Sequence, residues 1–169
     1  MQMKRLILLL CLSLVASLPA EGGMFRNLGN SAHPWHFNGR EFVPGPGDGS
    51  VVVMVRDGYL PVVRTADDSA PSVSVPDGLG TIAGICYIQV SGGKLSDQGG
   101  SLPAAGCTLE IVDASGVAWR ATSDRNGFFS LPLPAGTYEV HDAGSPVTLT
   151  VTEGRTALVA LRTGKRMVD

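Results

Sequence analysis

Apolar and polar residues alternate along most of the second half of the chain. Phe129, Leu131 and Leu133 recur at period two, the spacing that sets three apolar groups on one face of a strand. Asp124-Arg125-Asn126-Gly127 precedes them as a turn, because Asp and Asn bond nearby backbone and Gly takes positive φ at little cost. Pro134-Ala135-Gly136 turns the chain again, and Tyr138 and Val140 resume the alternation. Val147, Leu149 and Val151 alternate with Thr148, Thr150 and Thr152, a half-buried strand, and Val117, Trp119 and Ala121 repeat the pattern upstream. Further strands are expected over Thr81–Val90, Cys107–Val112 and Thr156–Arg162. Turns fall at Asp113-Ala114-Ser115-Gly116 and Glu153-Gly154-Arg155, and a Gly-rich loop at Ser91–Ser101. Short strands at about 8–12-residue spacing, with no helical periodicity, predict an all-β, seven-stranded antiparallel sandwich over residues 80–163, with 164–169 as a tail.

Upstream, Val51–Arg56 and Tyr59–Arg64 read as a hairpin around Asp57-Gly58, the composition of a type I′ turn. Pro61 has no N–H for a ladder, so the second strand belongs at an edge or carries a bulge. An isolated hairpin is marginal in water, so this one must pack on the following domain, a partner or another copy. Residues 50–79 are thus hairpin and linker, with Ala66–Leu79 as the connection. Residues 21–49 show little periodicity and are expected to be an extended arm, ending in the Pro- and Gly-rich run Pro44–Gly49.

Composition supports these readings. Hydrophobic residues make up 44% and charged residues 17%, enough for a globular core. Glycine (22) and proline (11) together approach a fifth of the 169 residues and favour turns and short strands over helices. The net charge is −2 with no basic cluster beyond the first residues, which argues against a nucleic-acid partner. Residues 1–20 read as a secretory signal. Lys4-Arg5 forms the positive region, Leu6–Val15 the apolar one, and Leu18-Pro19-Ala20 places a small residue at the cleavage position. Pro19 and Glu21 end the apolar run before the roughly 20 residues of a membrane-spanning helix. Cys11 leaves with the signal, and the mature chain carries a net charge of −4. The expected location is the periplasm, the cell surface or the extracellular space.

Candidate chemistry is sparse. His33 and His36 lie three apart in His33-Pro34-Trp35-His36-Phe37 and are candidate metal donors. A structural site needs about four ligands, however, and no Cys or acidic pair completes this one. The segment reads instead as an aromatic patch pinning the arm. His141 is expected to face solvent from a strand. Asp124-x-Asn126-Gly127 matches the start of a calcium loop without its later acidic positions. No cofactor is expected. The alternative to a non-catalytic protein is a small metal-dependent or transthyretin-like hydrolase using His33, His36 or His141.

The order of these signals resembles the carboxypeptidase regulatory-like domain, a transthyretin-like sandwich related to the B repeats of collagen-binding adhesins (Cna-B-like). Thr81-Ile82-Ala83-Gly84-Ile85-Cys86 looks like its glycine-punctuated first strand, and Leu102–Leu109 like its small-residue turn into a second strand. Asp124, Gly127, Phe129, Leu131, Leu133, Pro134, Gly136 and Tyr138 match its most specific stretch residue by residue. The resemblance covers about half the chain and implies a Greek-key sandwich in which these residues are architectural. It also places Cys86 and Cys107 where the family has inward-facing valines on its first two strands, which implies a Cys86–Cys107 disulfide in an exported protein. Three activities of relatives are not supported. The C-terminus Thr163–Asp169 lacks the Tyr-Arg-Gly-Ser ending of 5-hydroxyisourate hydrolases. Lys94 sits in a loop, and the last strand has no Asn for an isopeptide. A carboxypeptidase's zinc would sit in a separate catalytic domain. The expected function is a binding or assembly module. It takes a protein partner, or assembles with itself, through the arm and hairpin, with carbohydrate as a further candidate ligand. Its working surface is expected in residues 24–65 or on the sandwich faces beside them.

Overall fold

In the computed structural model, residues 31–47, 51–64, 70–91, 100–142 and 144–167 are described. Residues 1–20, where a signal segment with Cys11 was expected, residues 21–30, Lys94 and most of the Ser91–Ser101 loop lie outside them. Among the described residues the chain forms twelve strands and no helix: β1 (His33–Phe37), β2 (Phe42–Pro44), β3 (Val52–Val55), β4 (Val62–Val63), β5 (Leu79–Ser91), β6 (Gly100–Pro103), β7 (Thr108–Asp113), β8 (Ala118–Thr122), β9 (Phe128–Pro134), β10 (Gly136–His141), β11 (Val147–Val151) and β12 (Thr156–Met167).

They form three sheets, where seven strands in a sandwich were expected. One has the order β2-β1-β3-β4, the second β11-β10-β7-β8 and the third β12-β5-β6, with β9 also on β5. β9 pairs with Leu79–Ile85 and β6 with Tyr87–Val90, so the two follow one another along a single edge of β5, and β12 occupies the other.

The long strand β5 organises the packing, because it is buried on both faces from Gly80 to Tyr87. Ile82 and Cys86 point into the main core with Leu109, Ile111, Phe129, Leu133, Tyr138, Val140 and Leu161. Ile85 and Tyr87 point the other way and pack with Phe37, against which Phe42, Val51 and Ala160 also lie. The Phe37 ring sits 4.8 Å from that of Tyr87 and 6.0 Å from that of Phe42. The β1–β4 sheet is thus a third layer over the sandwich. A strand covered on both faces loses its alternation, which explains the apolar run of β5 from Ile82 to Ile88.

The structure departs from expectation at five places. β12 pairs with β5 in parallel, from Thr156↔Thr81 to Met167↔Ser91, so the sandwich is not wholly antiparallel. The chain between them crosses to the other sheet and returns in the same direction, and a doubly covered central strand suits such pairing. The expected arm contains β1 and β2, because His33–His36 find a long-range partner in Val52–Val55 that local periodicity does not reveal. The hairpin turns where expected, with the Tyr59 N–H donating to Arg56 O at 3.2 Å and Gly58 at φ 77°. Its strands, however, pair as Val53↔Val63, one residue beyond a two-residue hairpin. Tyr59 is held instead by a bridge to Ser74, and Leu60 N–H by Val73 O, so β4 starts only after Pro61 and lies at the sheet edge. β6 occupies the end of the Gly-rich loop and Pro103 beyond it. The expected tail continues as strand to Met167, with an irregularity between Arg162 and Gly164.

Candidate functional site

Where the outer sheet overhangs the edge of the sandwich it leaves a groove of about 770 Å³, within the roughly 300–1,000 Å³ of ligand-sized clefts. Trp35, Phe42, Pro34 and Pro44 of β1 and β2 form one wall. Val147 and Leu149 of β11 and Leu158 and Ala160 of β12 form the other. Charge is confined to a few side chains. Arg40 and Glu41 come from the β1–β2 turn, and Asp57 and Arg155 pair at 2.9 Å with both side chains more than half exposed. The Asp57–Arg155 pair ties the β3–β4 turn to the start of β12, and the Gly58 N–H bond to Gly154 O (2.7 Å) reinforces it.

The histidines do not converge. Side chains alternate along a strand, so residues three apart on β1 lie on opposite faces. His33 lines the groove and its Nε2 is buried without a hydrogen-bond partner. His36 Nδ1 lies 3.2 Å from Gly45 O, and its ring packs so closely on Gly47 (φ 61°) that a side chain there would collide with it. His141 is on β10, part-exposed, with Nε2 3.4 Å from Glu139 Oε2. Among the described residues no three His, Cys, Asp or Glu side chains are grouped as a metal ion would require.

The turn motif is occupied with architecture. Asp124 Oδ1 accepts from the backbone N–H of Asn126 (2.7 Å) and Phe128 (2.9 Å), so the carboxylate serves to close the turn. Gly127 has φ 73°, and a Cβ on it would run into Cys86 O and, at 3.2 Å, Ala104 N. Phe129, Leu133 and Tyr138 are buried, whereas Pro134 and Gly136 stand exposed at the β9–β10 turn.

Cys86 and Cys107 are neighbouring thiols at one corner of the main core, Cys86 fully buried and Cys107 partly so. Burial pushes the Cys86 thiol well above its ordinary range, Cys107 beside it adds to the shift, and the nearby Ser123 hydroxyl opposes it. Ser123 also fastens the corner, donating from Oγ to Ala104 O (2.6 Å) and accepting from the Cys107 N–H (2.9 Å).

The groove was half visible in the sequence. Residues 24–65, where a working surface was expected together with the adjoining sandwich faces, supply one wall between Ser31 and Asp57. The other wall comes from β11 and β12, whose signal was the absence of charge in Val147–Val151 and Thr156–Leu161.

No protein-family model and no curated protein sequence matches the chain. Among solved structures, GBS52, the minor pilin of Streptococcus agalactiae, is similar at 14% identity over 76% of this chain and 66% of its own, with a TM-score of 0.42. The Bacillus anthracis TIE protein is similar at 14% identity over 80% of this chain and 35% of its own, with a TM-score of 0.39. The chain therefore spans less than two thirds of either.

Proposed function

We propose that the mature chain is an exported, non-catalytic module of the cell envelope or surface that holds another protein in the groove between its outer sheet and its sandwich. Residues 80–163 are, on this reading, a carboxypeptidase regulatory-like sandwich of the transthyretin-like, Cna-B-like kind, with a Cys86–Cys107 disulfide in the exported form. The observation that carries the proposal is the groove itself, an apolar cleft at a layer junction with a few charged groups at its rim. That balance suits a polypeptide better than a carbohydrate, whose hydroxyls need many polar partners. The signal-like N-terminus supports export. The hydrolase alternative has less behind it, because His33 and His36 face apart and His36 and His141 lie against Gly45 and Glu139.

Photo-crosslinking in the producing cells tests the proposal. A photoreactive phenylalanine analogue replaces Phe42 in the groove or, as a control, Arg120 on the far edge strand β8. A discrete adduct with one envelope protein from position 42 and none from position 120 is expected. No adduct, or equal adducts from both positions, overturns the assignment.

A further inference from the structure

Sheet edges invite unwanted pairing, and proteins blunt them with charge, proline or shortness. Most open edges here are blunted. β2 is three residues long and ends at Pro44, β4 has two residues, and β6 has four and ends at Pro103. β8 carries Arg120, and β9 carries Pro132 and Pro134. Among the described residues two edges are not blunted: β11, with the sequence VTLTV, and the first half of β12, Thr156–Leu161, which has no charge and no proline. Both are outermost in their sheets, and both line the groove.

The direction of the free backbone groups on β12 follows from its register. Thr81 N–H donates to Arg155 O at 2.8 Å, and Thr81 pairs with Thr156. In a parallel ladder alternate residues direct their N–H and C=O groups to the same side. Ala157, Val159 and Leu161 therefore bond β5, and Thr156, Leu158 and Ala160 direct theirs away from it, toward the groove they line. Val159 also lines the groove although its side chain belongs to the main core, so the cleft reaches the strand's edge.

We infer that the groove takes its partner by strand addition: an extended, uncharged segment of another protein hydrogen-bonds to the outward groups of Leu158 and Ala160 and lays alternate apolar side chains between Trp35 and Leu149. The inference rests on the groove being the working surface. The overhanging outer sheet selects for a single extended segment, a terminus or loop, over the flat edge of a second copy. Main-chain bonds supply affinity in this mode, and the alternate side chains supply register.

The test uses the mature protein and a panel of synthetic peptides alternating valine or leucine with threonine, capped by lysines for solubility. Amide hydrogen exchange, read residue by residue, reports bonds at the edge directly. The expected result is at least a tenfold slowing at Leu158 and Ala160 with peptide bound, and at least a tenfold loss of affinity when alternate peptide amides are N-methylated. Ala160→Pro, which deletes an outward N–H and spares those bonding β5, is expected to lose binding equally and keep the fold, as proline does on edges. The methylated-peptide comparison needs no variant and stands if Ala160→Pro fails to fold. Binding without protection, binding indifferent to methylation, or no binding by any peptide in the panel overturns strand addition. If these fail while crosslinking from position 42 succeeds, the groove remains the working surface and only the mode is wrong. If both fail, both readings fall.

Discussion

The phenolic hydroxyl of Tyr138 donates to the carbonyl oxygen of Pro134 at 2.8 Å, across the β9–β10 turn. Trp119 meets the same ring edge-on, with centroids 5.6 Å apart. Tyr138 thus closes the corner twice, by a hydrogen bond to the turn and by aromatic packing into the core. Tyr138→Phe keeps the packing and is expected to cost about 1 kcal/mol, the net worth of one such bond, and Tyr138→Ala about 3–5 kcal/mol. Urea unfolding of the two variants measures both. Burial, and then the charge of Asp113, raise the Tyr138 hydroxyl above the usual tyrosine range. A raised acid in the folded state means that the unfolded chain loses its proton first as pH rises. Wild-type stability should therefore fall above the ordinary tyrosine range, and this part of the decline should vanish in Tyr138→Phe.

The outer sheet should not be separable from the sandwich. Phe37 is 4% exposed and holds the two layers together against Tyr87 and Ile85. Phe37→Ala is expected to cost about 3–5 kcal/mol, as aromatic truncations in cores do. A chain starting at Gly80 would expose Ile85 and Tyr87 and is expected to bind a hydrophobic dye and self-associate. Calorimetry of Phe37→Ala and light scattering of the shortened chain check this. A shortened chain that stays monomeric and as stable as the whole would show the outer sheet to be an independent appendage.

Much of the sandwich could be read from period two. The buried faces of β9 and β10 are those the alternation names, Phe129 with Leu133 and Tyr138 with Val140. The direction of pairing could not be read, because alternation says which side chains face inward and nothing about whether a neighbour runs up or down. β5 and β12 accordingly pair in parallel without warning. The third layer was hidden for a related reason. Its strands are short, β1 contains Pro34, and the β1–β3 pairing that joins its two local hairpins links segments well separated in the sequence. One trace of it was on the page, the unalternating run Thr81–Tyr87, which is what a strand covered on both faces looks like. At the candidate site, His33 and His36 could share a ligand only while residues 21–49 were read as an irregular arm, in which spacing fixes no face. On strand β1, residues three apart lie on opposite faces.

Asp124 is a turn residue and should behave as one. Its Oδ1 accepts two backbone N–H bonds, and its own N–H donates to Phe128 O at 2.8 Å. Asp124→Asn retains an acceptor oxygen and should cost well under 1 kcal/mol, and Asp124→Ala about 1–2 kcal/mol, the range for losing a side-chain cap on backbone donors. Adding calcium should leave the melting temperature of the wild type unchanged. A calcium-dependent rise lost in Asp124→Ala would restore the ion site.

Gly84 has no room for a side chain in the parallel pair. A Cβ there would strike Val159 O and come within 2.8 Å of Val159 Cγ1 and 3.0 Å of Phe129 Cε1. Backbone and core atoms cannot yield as a flexible side-chain end does, so Gly84→Ala must spread β5 from β12. The expected loss is about 2–4 kcal/mol, near the upper end for overpacking a core. Because β12 forms the groove wall, hydrogen exchange along Ala157–Leu161 should accelerate before global unfolding.

Cys86 and Cys107 give the last prediction, which separates two states of one protein. In the exported form proposed above, the two thiols should lose two protons and two electrons to a disulfide oxidant, an oxidoreductase or oxidised glutathione, and join. The intact protein is then two hydrogen masses lighter than after reduction and gives no thiol titre. Closing the loop between them is worth on the order of 3 kcal/mol through restriction of the unfolded chain, so reduction should lower the urea midpoint. The reduced protein carries a further signature. Its Cys86 thiol is held high, first by burial and then by Cys107. Alkylation should therefore reach Cys107 well before Cys86. As pH rises past the ordinary thiol range, the unfolded chain ionises at position 86 while the folded chain does not, so the reduced protein should lose stability with increasing pH. Neither the oxidised protein nor reduced Cys86→Ala has a thiol at that position to titrate, and both should lack that slope. A full thiol titre in protein isolated from the envelope under denaturing, non-reducing conditions would show that the pair serves there only as two small apolar side chains.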